Sequence, residues 1–231
     1  MPSTAAWLAS RRAREVRALA AAAVLLLVSA CGSDGSGGGG RQFAAVIDNP
    51  WFPLMPRTSF VYRGARDGAA ARELVTVTHR TKELQGVRAI AVRDLLYLEG
   101  KLAERTVDWY AQDVEGNVWY LGEKTAELDR RGRVVSTEGS WLAGVDGAQA
   151  GIFMPAHPKL GAVFRQEYYK GHAEDHFRVM RVREKTLVTR EWTPLEPAVI
   201  GFKVYSRGIG LVRERSADGA ERLELVAVRK D

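Results

Sequence analysis

The chain has 231 residues, with 34 Lys and Arg against 28 Asp and Glu for a formal charge of +6, and 46% of it is hydrophobic. That length provides for one domain with a sizeable core. The single cysteine, Cys31, excludes an internal disulfide, and no basic run with interleaved aromatics marks a nucleic-acid partner.

Arg11, Arg12, Arg14 and Arg17 open the chain with positive charge, and residues 18–30 follow as an apolar stretch. Thirteen helical residues reach roughly 20 Å, whereas a bilayer core is about 30 Å thick, so the stretch is too short for a stable transmembrane helix. Positive region, apolar region and the small residues Ser29 and Ala30 together make an export signal. Arg11-Arg12 lacks the strongly hydrophobic residues that twin-arginine export would want nearby, which favours general secretion. Leu25-Leu26-Leu27-Val28-Ser29-Ala30-Cys31 resembles the lipobox of bacterial lipoproteins. The resemblance implies cleavage before Cys31, acylation of its thiol, and a protein anchored to a bacterial membrane on its periplasmic or extracellular face. Two acyl chains suffice for stable anchoring. The alternative is an ordinary signal peptide with an incidental cysteine.

Gly32 to Gly40 holds no side chain able to build a core and reads as a tether with a mean span of about 15 to 18 Å. The organisation is therefore a signal peptide over 1–30, a lipidated cysteine and Gly/Ser tether over 31–40, and a single antiparallel β domain over 41–231. Loss of residues 1–30 removes four arginines and Glu15 and leaves +3, so much of the basicity belongs to the leader.

Beyond residue 41, segments 73–78, 87–92, 105–110, 118–121 and 223–228 are rich in β-branched and aromatic residues. Gly68, Gly86, Gly100, Gly116 and Gly132 fall at turn signals spaced by 18, 14, 16 and 16 residues. Such an interval holds one strand and its turn, with no room for a crossover helix. The second half predicts strands near 162–169, 175–183, 185–193, 199–206 and 209–215, and no amphipathic helical period appears. The fold class is mainly β, an antiparallel meander forming a curved sheet or half-open barrel. Segments 53–60 and 158–164 are weakly alike, each placing a proline, a turn and an aromatic at the start of a strand.

Six further segments carry a second resemblance. They are Asn49-Pro50-Trp51-Phe52-Pro53-Leu54, Asp108-Trp109-Tyr110-Ala111-Gln112-Asp113, Gly116-Asn117-Val118-Trp119-Tyr120, Ser136 to Trp141, Arg165 to Tyr169 and Gly208-Ile209-Gly210-Leu211-Val212. Together they resemble a family of uncharacterised secreted or lipid-anchored bacterial β-proteins, which implies localisation and a β-rich fold but no assigned reaction. A looser likeness to envelope lipoproteins that hold lipids in half-barrels is one of architecture only.

For chemistry, His172, Glu174 and His176 alternate so as to share a strand face, where two imidazoles and a carboxylate are weak candidates for a metal. Solvated turn residues are the plainer reading, so no metal or cofactor is assigned. Asp108, Asp113, Glu138, Glu191 and Glu196 supply carboxylates, but their spacing fixes no catalytic distance. Neither a nucleophile elbow, a zincin helix nor a phosphate-binding glycine loop is present, so nothing positive marks an enzyme.

Aromatic pairs at Trp51-Phe52, Trp109-Tyr110, Trp119-Tyr120 and Tyr168-Tyr169 should each send one ring inward and one outward. The outward set either lines a binding surface or packs beneath loops. The long connection Gly139 to Gly161, holding Trp141, Phe153 and Met154, reads as a lid or a plug on the sheet. Candidate ligand-binding residues are Trp109, Trp119, Trp141, Phe153, Met154 and Tyr168. The expected role is a binding or carrier module for an apolar or amphipathic small molecule, or an assembly partner for another envelope protein. An envelope hydrolase of glycans or esters acting through paired carboxylates, and a purely structural lipoprotein, are the alternatives. A carrier predicts a deep apolar cavity, and a hydrolase predicts a polar cleft with converging carboxylates.

Overall fold

The computed structural model describes residues 41–230; the predicted leader, Cys31 and the tether lie outside the described residues. Strands account for the regular structure throughout. In chain order they are β1 (Thr58–Arg66), β2 (Ala69–Leu84), β3 (Val87–Leu98), β4 (Lys101–Gln112), β5 (Val118–Leu128), β6 (Val134–Ser136), β7 (Trp141–Leu142) and β8 (Gln149–Met154). The second half adds β9 (Val163–Arg165), β10 (Glu167–Tyr168), β11 (His176–Val182), β12 (Thr186–Trp192), β13 (Ile200–Ser206), β14 (Gly210–Ser216) and β15 (Glu221–Lys230).

All named pairings are antiparallel, and they run in the order β10-β8-β5-β4-β3-β2-β1-β15-β14-β13-β12-β11-β9. The two ends of that order, β9 and β10, are neighbours in the chain, separated by Gln166 alone. One extended segment, 163–168, thus pairs with β11 on one side and then with β8 on the other, giving a nearly closed barrel with a single seam. The Gln166 N–H donates to the Asp175 carbonyl at 2.8 Å where the segment changes partner. Glycine at 151 permits this crossing, because a Cβ there would collide with the Arg165 and Gln166 carbonyl oxygens.

The predicted meander is present, its turns set by glycines in the left-handed region, among them Gly68, Gly86, Gly100, Gly116 and Gly132. The stretch from Gly139 to Gly161 departs from expectation. It contains β7 and β8, which follow one another along the free edge of β5, with β6 capping the same edge further on. The segment is wall rather than lid. Its strands have two and six residues, too short to show a period-2 pattern.

The alternating direction of the strands gives the barrel two mouths. At the near mouth lie residues 41–57, the 84–87, 112–118, 182–186 and 206–210 turns and the 155–162 connection; at the far mouth lie the 66–69, 98–101, 128–134, 192–200 and 216–221 turns. The near half of the interior is aromatic. Phe52, Tyr110, Tyr120 and Phe153 pack with ring centroids 4.6–5.7 Å apart, and Trp141 meets Tyr120 edge-on at 5.4 Å. Toward the far mouth the interior is ionic, with Arg66, Glu73, Glu104, Glu191, Lys203, Glu214 and Glu221 all buried.

Candidate functional site

The segment 47–54 turns into the near mouth and closes it. Ile47 and Leu54 bridge, and Trp51, Phe52 and Leu54 are buried beneath. Asn49 fixes this plug. Its backbone N–H donates to Gln112 Oε1 at 2.8 Å, its side-chain amide donates to the Gly116 and Pro155 carbonyls at 2.8 and 3.2 Å, and its Oδ1 accepts from the Trp51 N–H at 2.9 Å. One buried amide therefore ties three separate segments, in keeping with the rule that buried polar groups are bonded. On the opposite side the Gly208 N–H donates to the Pro50 carbonyl at 2.7 Å, and Gly210, at φ 102°, lies against Pro53. Four of the segments quoted from sequence, the 49–54, 108–113, 116–120 and 208–212 runs, thus meet at one mouth.

Asp113 organises the rest of that rim. Its carboxylate accepts from the Asn117 backbone and side chain and, at 2.7 Å, from Trp119 Nε1, while Asn117 Oδ1 accepts from the Ala156 N–H. Outside the plug lies an open cleft of about 970 Å³. Pro50, Trp51 and Gln112 form one part of its wall, Asp48, Glu115 and His157 a second, and Arg183, Glu184, Lys185 and Arg207 a third. The cleft is mixed in charge, and the Arg207 guanidinium sits 5.5 Å above the Trp51 ring. Asn49, Gln112 and Arg207 were not among the predicted site residues, although the first two stand inside quoted segments.

The predicted ligand-binding residues do not form one surface. Phe153 and Met154 are buried inside the barrel. Trp119 lies beneath the Arg41 guanidinium at 3.8 Å, and Tyr168 beneath that of Arg165 at 4.4 Å. Trp109 and Trp141 do share a groove, of about 370 Å³, with Lys82, Ser140 and Tyr169. The expectation that each aromatic pair sends one ring into solvent fails at Trp51-Phe52 and Trp109-Tyr110, where both rings are buried. Lys82 covers Trp109 at 4.7 Å, so the outward ring is packed rather than presented.

The three metal candidates are turned to separate partners. His172 stacks on Tyr169 at 4.4 Å, Glu174 accepts from the Gly171 N–H at 2.7 Å, and His176 lies over Trp192 with Nδ1 2.9 Å from the Glu174 carbonyl. Among the described residues no group of three His, Cys, Asp or Glu is placed to hold a metal ion.

Of the predicted carboxylates, Glu138 is exposed while Asp108 and Glu191 are buried. The Tyr120 hydroxyl lies 2.6 Å from Asp108 Oδ1 and 2.8 Å from Glu123 Oε2. A single phenolic proton cannot serve two carboxylates, so the triad is complete when one carboxyl is itself protonated. Burial pushes Asp108 up to about 6, against the opposing effect of the Tyr120 hydrogen bond. Beside it, Trp141 Nε1 donates to Glu167 Oε2 at 2.6 Å.

The ionic half follows from register. Arg66 stands opposite Glu221 and Lys203 opposite Glu214. Lys203 Nζ lies 3.0 Å from Glu191 and 3.8 Å from Glu214, and Arg66 lies 3.6 Å from Glu221 and 3.8 Å from Glu104. Burial raises Glu104 and Glu214 to about 7 and Glu221 to about 8, with the neighbouring cations drawing all three downward. The interior is filled by these side chains. Its apolar cavity, between Phe52, Tyr62 and Leu211, measures about 20 Å³, room for about one water.

No family model and no curated protein matches the chain. Two solved structures are similar to the chain. One, described as an exported protein with a YmcC-like fold from Bacteroides fragilis, has a TM-score of 0.42 at 14% identity, covering 78% of this chain and 99% of its own. The other, described as a lipoprotein from Parabacteroides distasonis, has a TM-score of 0.39 at 10% identity with the same coverage of both chains.

Proposed function

We propose that this protein is a cell-envelope lipoprotein, anchored through Cys31, that works as a binding module and takes an amphipathic or charged ligand in the cleft at its near mouth. The observation that carries the reading is the cleft itself, about 970 Å³ and open beside a plug fixed by Asn49. Its volume is in the range of small-molecule sites. Side chains of both signs, together with Pro50, Pro158 and Val182, suit a ligand with polar ends and an apolar part, or a protein loop of the same character. An interior lipid carrier is disfavoured, because the apolar cavity of about 20 Å³ cannot hold an acyl chain.

Anchoring is tested by metabolic labelling with radioactive palmitate. Label in the wild type and none in Cys31→Ala is the expected result, and an unlabelled wild type removes the anchor. Binding is tested by native mass spectrometry of the protein purified from its own envelope. A bound small molecule or peptide should be lost in Arg207→Glu and retained in a substitution at the Trp109 groove, Lys82→Ser. A clean mass for the wild type, or loss through Lys82→Ser instead, overturns the assignment to the cleft.

A second reading, a hydrolase using paired carboxylates, draws on Asp108 and Glu123 around Tyr120. Both carboxylates are buried, and the Tyr120 hydroxyl lies between them.

A further inference from the structure

We propose that the near mouth is a membrane-docking face, seated on a bilayer surface rich in anionic lipid with its loop tips entering the headgroup layer. The proposal rests on the anchoring read from Cys31 for its orientation, and on independent features of the barrel for its contacts.

The first is where the chain comes in. Arg41 stacks on Trp119, Phe43 bridges Asp113, and the Ala44 N–H donates to the Gln112 carbonyl at 2.7 Å, so the tether joins the barrel at this mouth. The wall strands run up to 16 residues, and a 12-residue strand spans about 40 Å from mouth to mouth. Nine residues separate Cys31 from Arg41, so an anchor at Cys31 holds the near mouth closer to the membrane than the far one.

The second is a pattern at the loop tips. Val46, Met55, Val114, Leu160, Val182 and Ile209 are all exposed here, Leu160 at 73% and Val114 at 59%. Four of these apolar tips adjoin cations, since Met55 precedes Arg57 by two residues, Lys159 precedes Leu160, Val182 precedes Arg183 and Arg207 precedes Ile209 by two, while Val46 and Val114 adjoin Asp48 and Glu115. Val228, also exposed, precedes Arg229 and Lys230 at the end of β15. Apolar side chains flanked by Lys and Arg match the chemistry of an interface, where acyl chains accept the first and lipid phosphates the second. Among the described residues, the far mouth exposes Val134 and Val135 beside Arg131 and Arg133, and places the acids Asp67, Glu99 and Asp218 at three of its turn tips.

The two features converge, since nothing about a tether requires it to enter beside the apolar and basic tips. A face of this kind also sets the cleft against the headgroups, so a ligand with a polar end and an apolar part enters it from the bilayer.

The test uses the chain from residue 31 onward carrying Cys31→Ser, which keeps every strand of the barrel and removes the acyl contribution. Co-sedimentation is measured with vesicles of phosphatidylcholine alone and of three parts phosphatidylcholine to one part phosphatidylglycerol, at 50 and 500 mM NaCl. Expected is at least tenfold tighter association with the phosphatidylglycerol vesicles at low salt, largely lost at high salt as the charges are screened. Reversing three charges at the mouth, Arg183→Glu with Lys185→Glu and Arg207→Glu, should weaken association at least tenfold. Replacing Met55, Leu160 and Ile209 by serine should weaken it at both salt concentrations. Lys101→Glu with Arg130→Glu and Arg131→Glu, at the far mouth, should leave it unchanged, with circular dichroism melts confirming that each variant is folded. Equal association with both vesicle types, or equal loss from the far-mouth variant, overturns the proposal. Palmitate labelling of the wild type reports separately on the anchor. Labelled protein whose Cys31→Ser form ignores the vesicles defeats the docking face alone, and unlabelled protein whose Cys31→Ser form still binds them upholds it without the anchor.

Discussion

Replacing Lys203 by methionine keeps most of the side chain's length and removes its charge. The ammonium lies 3.0 Å from Glu191 and 3.8 Å from Glu214, with all three groups buried. At an effective dielectric of about 20 the shorter contact alone corresponds to roughly 5 kcal/mol of attraction. Desolvation offsets part of that, and breaking a buried pair by deleting one partner typically costs about 3–5 kcal/mol, because the other charge is left behind. A loss of this size is a large share of the roughly 5–15 kcal/mol that holds a domain together. The loss should depend on pH. Burial already lifts Glu214 to about 7 with Lys203 beside it, and without the ammonium Glu214 binds its proton more readily still in the folded state. Protonation relieves the strain, so the deficit is largest at pH 8 and shrinks toward pH 5. Urea unfolding at the two pH values measures it, with about 3 kcal/mol or more expected at pH 8 and less than half of that at pH 5. A deficit below about 1 kcal/mol, or one equal at both pH values, refutes the view of this cluster as a coupled charge centre.

The wild type should itself be more stable in mild acid. Glu104, Glu214 and Glu221 hold protons when folded up to about pH 7, 7 and 8, and release them near their ordinary values when unfolded. The folded state binds more protons between these limits, so stability is full below about pH 4.5 and falls as pH rises toward 8. A slope of at least about 1.4 kcal/mol per pH unit between pH 5.5 and 7.5 is expected, one extra proton's worth, and stability that stays flat or rises across that window contradicts it. Tyr120→Phe removes the hydroxyl between Asp108 and Glu123 and should cost about 1–3 kcal/mol in denaturant unfolding, again more at pH 8 than at pH 5; a neutral effect would mean that the carboxyls do not depend on it. Gly151→Ala forces a methyl against the Arg165 and Gln166 carbonyls, so unfolding should show a loss of about 1–3 kcal/mol and hydrogen exchange should speed up first along 163–168. Unchanged exchange there would show that the seam yields without strain.

The wall was legible because its signals are local. β-branched residues in 73–78 and 87–92 and glycine turns at regular spacing give antiparallel hairpins, and hairpins in series give the meander. What fills the wall was not. In Glu73-Leu74-Val75-Thr76-Val77 the period-2 pattern puts Glu73 on the same face as Val75 and Val77, yet a lone glutamate at a strand end reads as solvated. It is buried because β1, β14 and β15 bring Arg66, Glu214 and Glu221 into the same interior from distant parts of the chain. Trp141 was legible as a large apolar residue in need of cover, but not as the donor to Glu167, twenty-six residues away. The site suffered in the same way. Asn49 and Gln112 look like ordinary turn and strand residues until the plug folds back onto the 112–118 turn.

The pairing of β1 with β15 has a consequence for how the molecule is made. The strand that begins the wall finds its second neighbour only when the strand that ends it arrives, with Thr58 facing Lys230 across almost the whole polypeptide. Contacts so remote in sequence slow the search for the native arrangement, and a polypeptide delivered N-terminus first must wait with one flank of β1 uncovered. An unsatisfied flank is an invitation to a neighbouring copy. Assembly should therefore be slow, concentration-sensitive and dependent on β15, so that a truncation at Ala220 yields aggregate in place of a smaller barrel.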